Sequence, residues 1–224
     1  MSFLNIFARH KKAEGYIGCY NLSEWWFTVL TKEERILIED TYKPLGFPQS
    51  RLTKGDIHTP GQSATMFLLN LSGWFRAKKH RIVQKKILDR AQTEVREANK
   101  TIELHCLYDC LIDFHYKERE NQESLDQAIS ACKSQIALSP EMTNQHKSNH
   151  KDFALGTHRG FEQLAIILEK QNNYAEAINL CKQAMDQGWA GDWDKRIARC
   201  ELKITKEKIV NRKKGLNKTE GKRQ

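Results

Sequence analysis

The chain has little that interrupts a helix: only four prolines and twelve glycines in 224 residues, and aromatics at 9%. Long stretches free of both breakers favour helices over a strand-and-turn architecture. No run of about 18 apolar residues exists, so no membrane-spanning helix is expected. The apolar residues Phe3, Leu4, Ile6 and Phe7 precede the basic Arg9, Lys11 and Lys12. A secretory leader has the reverse order and a longer apolar core, so none is expected, and a reducing cytoplasm is the natural setting for the six cysteines. This start either packs on the domain, the simpler reading, or touches a membrane as an amphipathic segment. Chemistry-bearing motifs are equally scarce. There is no phosphate-cradling glycine loop, no Gly-x-Ser-x-Gly elbow, no His-Glu-x-x-His and no Cys-x-x-Cys knuckle. No zinc-finger, RNP-like or helix-turn-helix reader is present either. No cofactor or metal is expected.

What remains is helical periodicity. Phe161, Leu164, Ala165 and Leu168 fall at the three- and four-residue spacing of a buried face. Asn172 and Asn173 interrupt it, and Asn173 with Glu176 predicts an N-cap and capping box for a second helix ending near Gly188. That helix places Ala177, Leu180, Cys181 and Ala184 inward. Two antiparallel helices follow, with small alanines where the backbones approach.

In this order the residues resemble the tetratricopeptide repeat (TPR), a 34-residue helix-turn-helix unit. Phe161 stands for the repeat's Trp, Leu164-Ala165 for its Leu-Gly, and Leu168 for the following aromatic. Tyr174 opens the second helix, and Ala177, Cys181 and Ala184 complete it. Trp189 stands where the family closes with Pro. The match covers 158–189. An ordinary helical hairpin would share much of this spacing. A degenerate second copy spans 102–140: Ala128-Ile129-x-x-Cys132-Lys133 echoes Ala177-Ile178-x-x-Cys181-Lys182, offset by 49 residues rather than 34. Its first helix would carry Leu104, Leu107, Tyr108, Leu111, Phe114 and His115, and it would stop at Pro140. The polar stretch 141–157 accounts for the surplus and reads as a loop.

Upstream, Ser23 is placed to cap a short aromatic helix bearing Trp25 and Trp26, read as buried anchors with an exposed recognition surface as the alternative. Thr31 with Glu34 predicts a capping box for a helix whose apolar residues are Ile36, Leu37 and Tyr42, ended by Pro44 and Gly46. Punctuation at 47–62 suggests a boundary. A further hairpin follows, with Phe67, Leu68, Leu71, Trp74 and Phe75 on its first helix and Ile82, Val83, Ile87, Ala91, Val95 and Ala98 on its second. Downstream, Asp192 precedes a capping helix with Trp193, Ile197, Cys200 and Ile204 inward. The expected fold is all-α: a short, irregular, TPR-like array of antiparallel hairpins (61–205) with a helical N-terminal cap (1–60) and a basic tail without structure (206–224).

The net charge of +9 is uneven. Residues 203–224 carry nine Lys/Arg against two Glu, and 76–100 nine against three. Such regions bind phosphate backbones through counterion release without a motif, so weak nucleic-acid or anionic-surface contact is the second functional reading. The first is protein or peptide binding. The resemblance implies a concave face formed by the first helix of each hairpin, which in the central unit presents Arg159, Glu162, Gln163, Ile166, Glu169 and Lys170. Glu162 and Ile166 stand where a carboxylate-clamping set would begin, which argues against that mode. Other candidates are weaker: Cys106 and Cys110 near His105 and His115 for a metal, and His158 with Glu162 for acid–base chemistry. His146, His150 and His158 among polar residues read as exposed.

Overall fold

The computed structural model describes residues 11–46, 49–96, 100–149 and 155–220, with the backbone alone at 49–50, 146–149 and 212–220. Expectations for Phe3 to Arg9, for Ala98 and for the side chains of His146 and His150 lie outside it. The described residues form ten α-helices and one pair of short strands, and contacts divide the chain into two compact units, Met1–Cys110 and Leu111–Gln224.

The first unit holds α1 (Gly15–Cys19), α2 (Ser23–Thr28), α3 (Lys32–Thr41), α4 (Ala64–Gly73), α5 (Arg81–Thr93) and the start of α6 (Lys100–Tyr116). The capping box of α3 forms as expected. The Glu34 N–H donates to Thr31 Oγ1 (3.2 Å), and the Thr31 N–H donates to Glu34 Oε2 (2.8 Å). Its buried residues are Ile38 and Tyr42, whereas Ile36 is exposed. Of the expected residues, Tyr42 is thus in the core, Leu37 is half-buried and Ile36 turns outward, its place taken by Ile38 four residues before Tyr42. Ser23 is not a cap either. It is the first residue of α2, and its Oγ accepts from the Ala13 N–H. Trp25 and Trp26 are both buried, as anchors should be.

Phe67 on α4 is the hub of this unit. Its ring meets Tyr16, Tyr20 and Tyr42 at centroid distances of 5.7, 5.1 and 6.2 Å. Helices α4 and α5 pack as the expected hairpin, burying Phe67, Leu68, Leu71 and Phe75 against Val83, Ile87 and Ala91. Two residues assigned to that core face outward instead: Trp74 is 42% exposed and Ile82 71% exposed, because the chain turns between them. A buried carboxylate, Glu103, closes this end of α6, accepting from Thr65 Oγ1 (2.8 Å) and the Arg96 N–H (3.0 Å).

The second unit holds the end of α6, then α7 (Gln122–Asn149), β1 (Leu155–Thr157), α8 (Arg159–Lys170), α9 (Tyr174–Gln187), β2 (Trp189–Ala190) and α10 (Trp193–Glu220). Along the chain, α7 packs on α8, α8 on α9 and α9 on α10. Every residue of the predicted α8 stripe is buried, as are Ala177, Cys181 and Ala184 of α9. The turn is made by Asn172, at φ 62, in the left-handed region that asparagine tolerates. Asn173 is the N-cap, but the capping box does not form, since its side chain makes no capping bond. Trp189, the departure from the repeat pattern, is a core residue. With Leu155, Phe161, Ala165, Cys181, Ala184 and Trp193 it forms one buried cluster, onto which Met142 also packs.

Two expectations of irregular chain are overturned. Residues 141–149 are not a loop, because α7 continues through Pro140. The first residues of the expected unstructured tail continue α10, which is helical to Glu220. Beside the loop reading, 155–157 is a strand pairing in parallel with β2, Leu155 opposite Trp189.

Candidate functional site

Helix α8 carries two faces beyond its core stripe. Arg159, Gln163, Ile167 and Lys170, at spacings of four, four and three, form a line, and the two cations at its ends contact α6. A terminal guanidinium nitrogen of Arg159 (Nη2) lies 3.6 Å from Asp113 Oδ1, and Lys170 Nζ donates to Tyr116 Oη at 3.1 Å. Ile167 is 2% exposed.

The other face turns to α10. Glu169 accepts from Arg196 and from Arg199, whose Nε and Nη2 lie 3.0 and 3.2 Å from its two oxygens. Arg196 is itself buried. Of the six residues placed on the ligand-facing side, then, Arg159 and Lys170 come together along α6, Glu169 ties α8 to α10, and Gln163 is buried. Glu162 is exposed and Ile166 half-buried.

At the lower end of the first face lies a cleft of about 190 Å³, lined by Tyr116, Arg119, Glu120, Leu125, Ile167, Lys170 and Gln171. It forms where the last turns of α6 and α8 meet the first turn of α7. Leu125 and Ile167 supply an apolar floor. The Tyr116 ring is flanked by two cations, with the Arg119 guanidinium 5.0 Å and Lys170 Nζ 5.6 Å from its centroid. Each such contact is worth about 0.5–1 kcal/mol at an exposed site. Both cations also sit at helix C-termini, where the macrodipole favours positive charge. Glu120 is exposed at the rim, with Arg119 Nε 3.7 Å from its carboxylate. A volume of this size is below the roughly 300–1,000 Å³ of a small-molecule or cofactor site. It suits one or two side chains of an extended partner, apolar at the floor and acidic at the rim.

The histidines lie elsewhere. His158 is fully buried as the N-cap of α8, its Nδ1 accepting from the Phe161 N–H (3.4 Å) and its ring packed on Phe161 and Trp189. It is therefore not the exposed loop histidine expected. Glu162, its suggested acid–base partner, is exposed. His105 is half-buried on α6, and burial holds its pKa below the usual value against the charge of Asp109. Cys106 lies in the same stretch, and burial pushes its thiol up. Among the described residues no group of three His, Cys, Asp or Glu is placed to hold a metal ion. Nor is any described helix long and apolar enough to cross a membrane.

Sequence reasoning missed Tyr116, Arg119, Leu125, Ile167 and Gln171. Nothing in the period of α6 or α7 shows that the last turn of α8 meets them. No protein-family model, curated protein or solved structure matches the chain.

Proposed function

We propose that the chain is a protein- or peptide-binding module of tetratricopeptide type, with α6/α7 and α8/α9 as its hairpins and the cleft at the ends of α6 and α8 as its recognition site. The observation that carries the reading is that cleft: an apolar floor rimmed by Arg119 and Lys170, too small for a cofactor. Three further features support it. Helices α7 to α10 pack serially, as in a solenoid whose repeats contact only their neighbours. The first helices of the two hairpins are joined by Arg159–Asp113 and Lys170–Tyr116. Cys132 and Cys181, equivalent in the two copies, are both fully buried.

The ligand that fits is an extended segment with an apolar residue next to an acidic one. The test is capture from the source cell with the whole chain as bait, beside an Arg119→Glu/Lys170→Glu variant. Both residues are exposed, so this variant still folds, its thermal midpoint lowered only by the loss of the contacts with Tyr116. Partners retained by the wild type and lost by the variant support the proposal. Identical partner sets from the two baits sink it, as does recovery of no partner together with turnover of a small molecule.

A further inference from the structure

In the first unit, residues 57 to 88 contain no Asp or Glu, while Arg76, Lys78, Lys79, Arg81, Lys85 and Lys86 fall within them. Along α5 this charge is balanced inside the unit: Lys85 pairs with Asp89 (2.7 Å), Lys86 with Glu34 (2.7 Å) and Arg90 with Glu94. At the corner between α4 and α5, Lys78 and Lys79 are exposed on a single 3-10 turn, and the first turn of α5 carries no carboxylate. The His80 side chain makes no capping bond there, so the positive end of the α5 macrodipole adds to the same field.

Large apolar side chains stand out at this corner. Ile82 is 71% exposed and Trp74 42% exposed, on either side of the lysines. The Trp74 ring meets Tyr42 edge-on at 5.6 Å.

We infer that this corner docks on an anionic lipid bilayer, with Trp74 and Ile82 entering the headgroup boundary and Lys78 and Lys79 meeting the phosphates. The charge selects an anionic partner, and the aliphatic residues select among such partners. A nucleic acid rewards cations and aromatic stacking, but it has no place for an exposed isoleucine. A membrane interface accepts tryptophan, aliphatic residues and lysine together.

The experiment is sedimentation of the whole chain with phosphatidylserine/phosphatidylcholine vesicles and with phosphatidylcholine vesicles alone, beside titration of single-stranded poly(U) RNA. The wild type binds the anionic vesicles and not the neutral ones, and binding weakens as salt rises. Each cation near such a surface is worth about fivefold, so Lys78→Glu/Lys79→Glu lowers the affinity by at least about 25-fold. Ile82→Ser, which leaves the charge intact, lowers it about tenfold. All three substituted side chains are exposed, and unchanged thermal melting confirms the fold.

Anionic-vesicle binding that survives Lys78→Glu/Lys79→Glu places the contact elsewhere in the chain and overturns the inference. So does binding that Ile82→Ser leaves intact, because nothing then enters the bilayer. Binding to poly(U) without binding to vesicles assigns the corner to nucleic acid and overturns it as well.

Discussion

Gly160 marks the close approach of α8 to α7 in the second unit. A Cβ on it would lie 2.9 Å from the carbonyl oxygen of Cys132, 2.9 Å from Gln135 Oε1 and 3.2 Å from Ile136 Cγ1. The bare backbone lets α8 begin directly against α7, and the Gly160 N–H donates to the buried Gln135 Oε1 at 2.6 Å. Gly160→Ala must push the two helices apart or break that bond. The expected loss is about 1–3 kcal/mol, read as a lower thermal midpoint by circular dichroism. A midpoint equal to the wild type would show that α7 yields and the approach is not fixed. None of this was visible in the sequence, where a glycine between Arg159 and Phe161 says nothing about a residue 25 positions upstream. Phe161, Ala165, Cys181 and Ala184 were legible for the opposite reason. Their burial follows from the period of their own helix. Gln163 and Glu169 obey the same period but are claimed by the interior and by α10, neither of which the period encodes.

Helix α7 shows the same limit at the level of an element. A proline inside a helix removes one hydrogen bond and crowds the carbonyl four residues back, at a cost of about 3 kcal/mol, so stopping at Pro140 was the reasonable reading. The chain continues because both losses are offset locally. The carbonyl left without its usual donor belongs to Ile136, and Ser139 Oγ donates to it at 2.7 Å. One turn on, Thr143 is buried with its hydroxyl on the Ser139 carbonyl (2.8 Å), and Met142 packs on the Trp189 cluster. Ser139→Ala should therefore cost about 1 kcal/mol, since it strands the Ile136 carbonyl. Pro140→Ala should add about 1–2 kcal/mol, part of the helical gain being offset by a freer unfolded chain. Urea denaturation checks both as shifts of midpoint at constant slope. Destabilisation by Pro140→Ala would mean that the proline sets a bend the core requires. The turn of the hairpin α8/α9 was readable because its signal is local, whereas the extension of α7 also draws on the packing of Met142 against the buried cluster around Phe161 and Trp189.

For the whole molecule, buried titratable groups set a pH window, limited on the acid side by a carboxylate of the first unit and on the alkaline side by buried thiols and a phenol. In the first unit, burial alone would raise the Glu103 pKa. Hydrogen bonds from Ser63, the Arg96 amide and Thr65 outweigh that and hold it below the usual carboxylate value. Its contribution is thus present above the unfolded pKa and lost as pH falls through the folded one. The second unit is limited from the alkaline side. Burial pushes the Cys132 thiol from 9.0 to about 12, and pushes Cys181 up to about 11 despite the nearby charge of Arg196. The folded unit keeps protons that the unfolded chain releases above pH 9. Stability is therefore full below pH 9 and declines as pH rises toward about 11 to 12. Each thiol contributes a slope of at most about 1.4 kcal/mol per pH unit. The first unit has an alkaline limit of its own, since burial raises the Cys106 thiol and pushes Tyr20 from 10.0 up to about 12. The thermal midpoint of Cys132→Ala/Cys181→Ala should accordingly start lower at pH 7, from lost packing, but decline less between pH 9 and pH 11 than that of the wild type. Parallel declines would show that the two thiols are reached by water in the folded chain, and that the repeated Ala-Ile-x-x-Cys-Lys motif does not place its cysteine in the core.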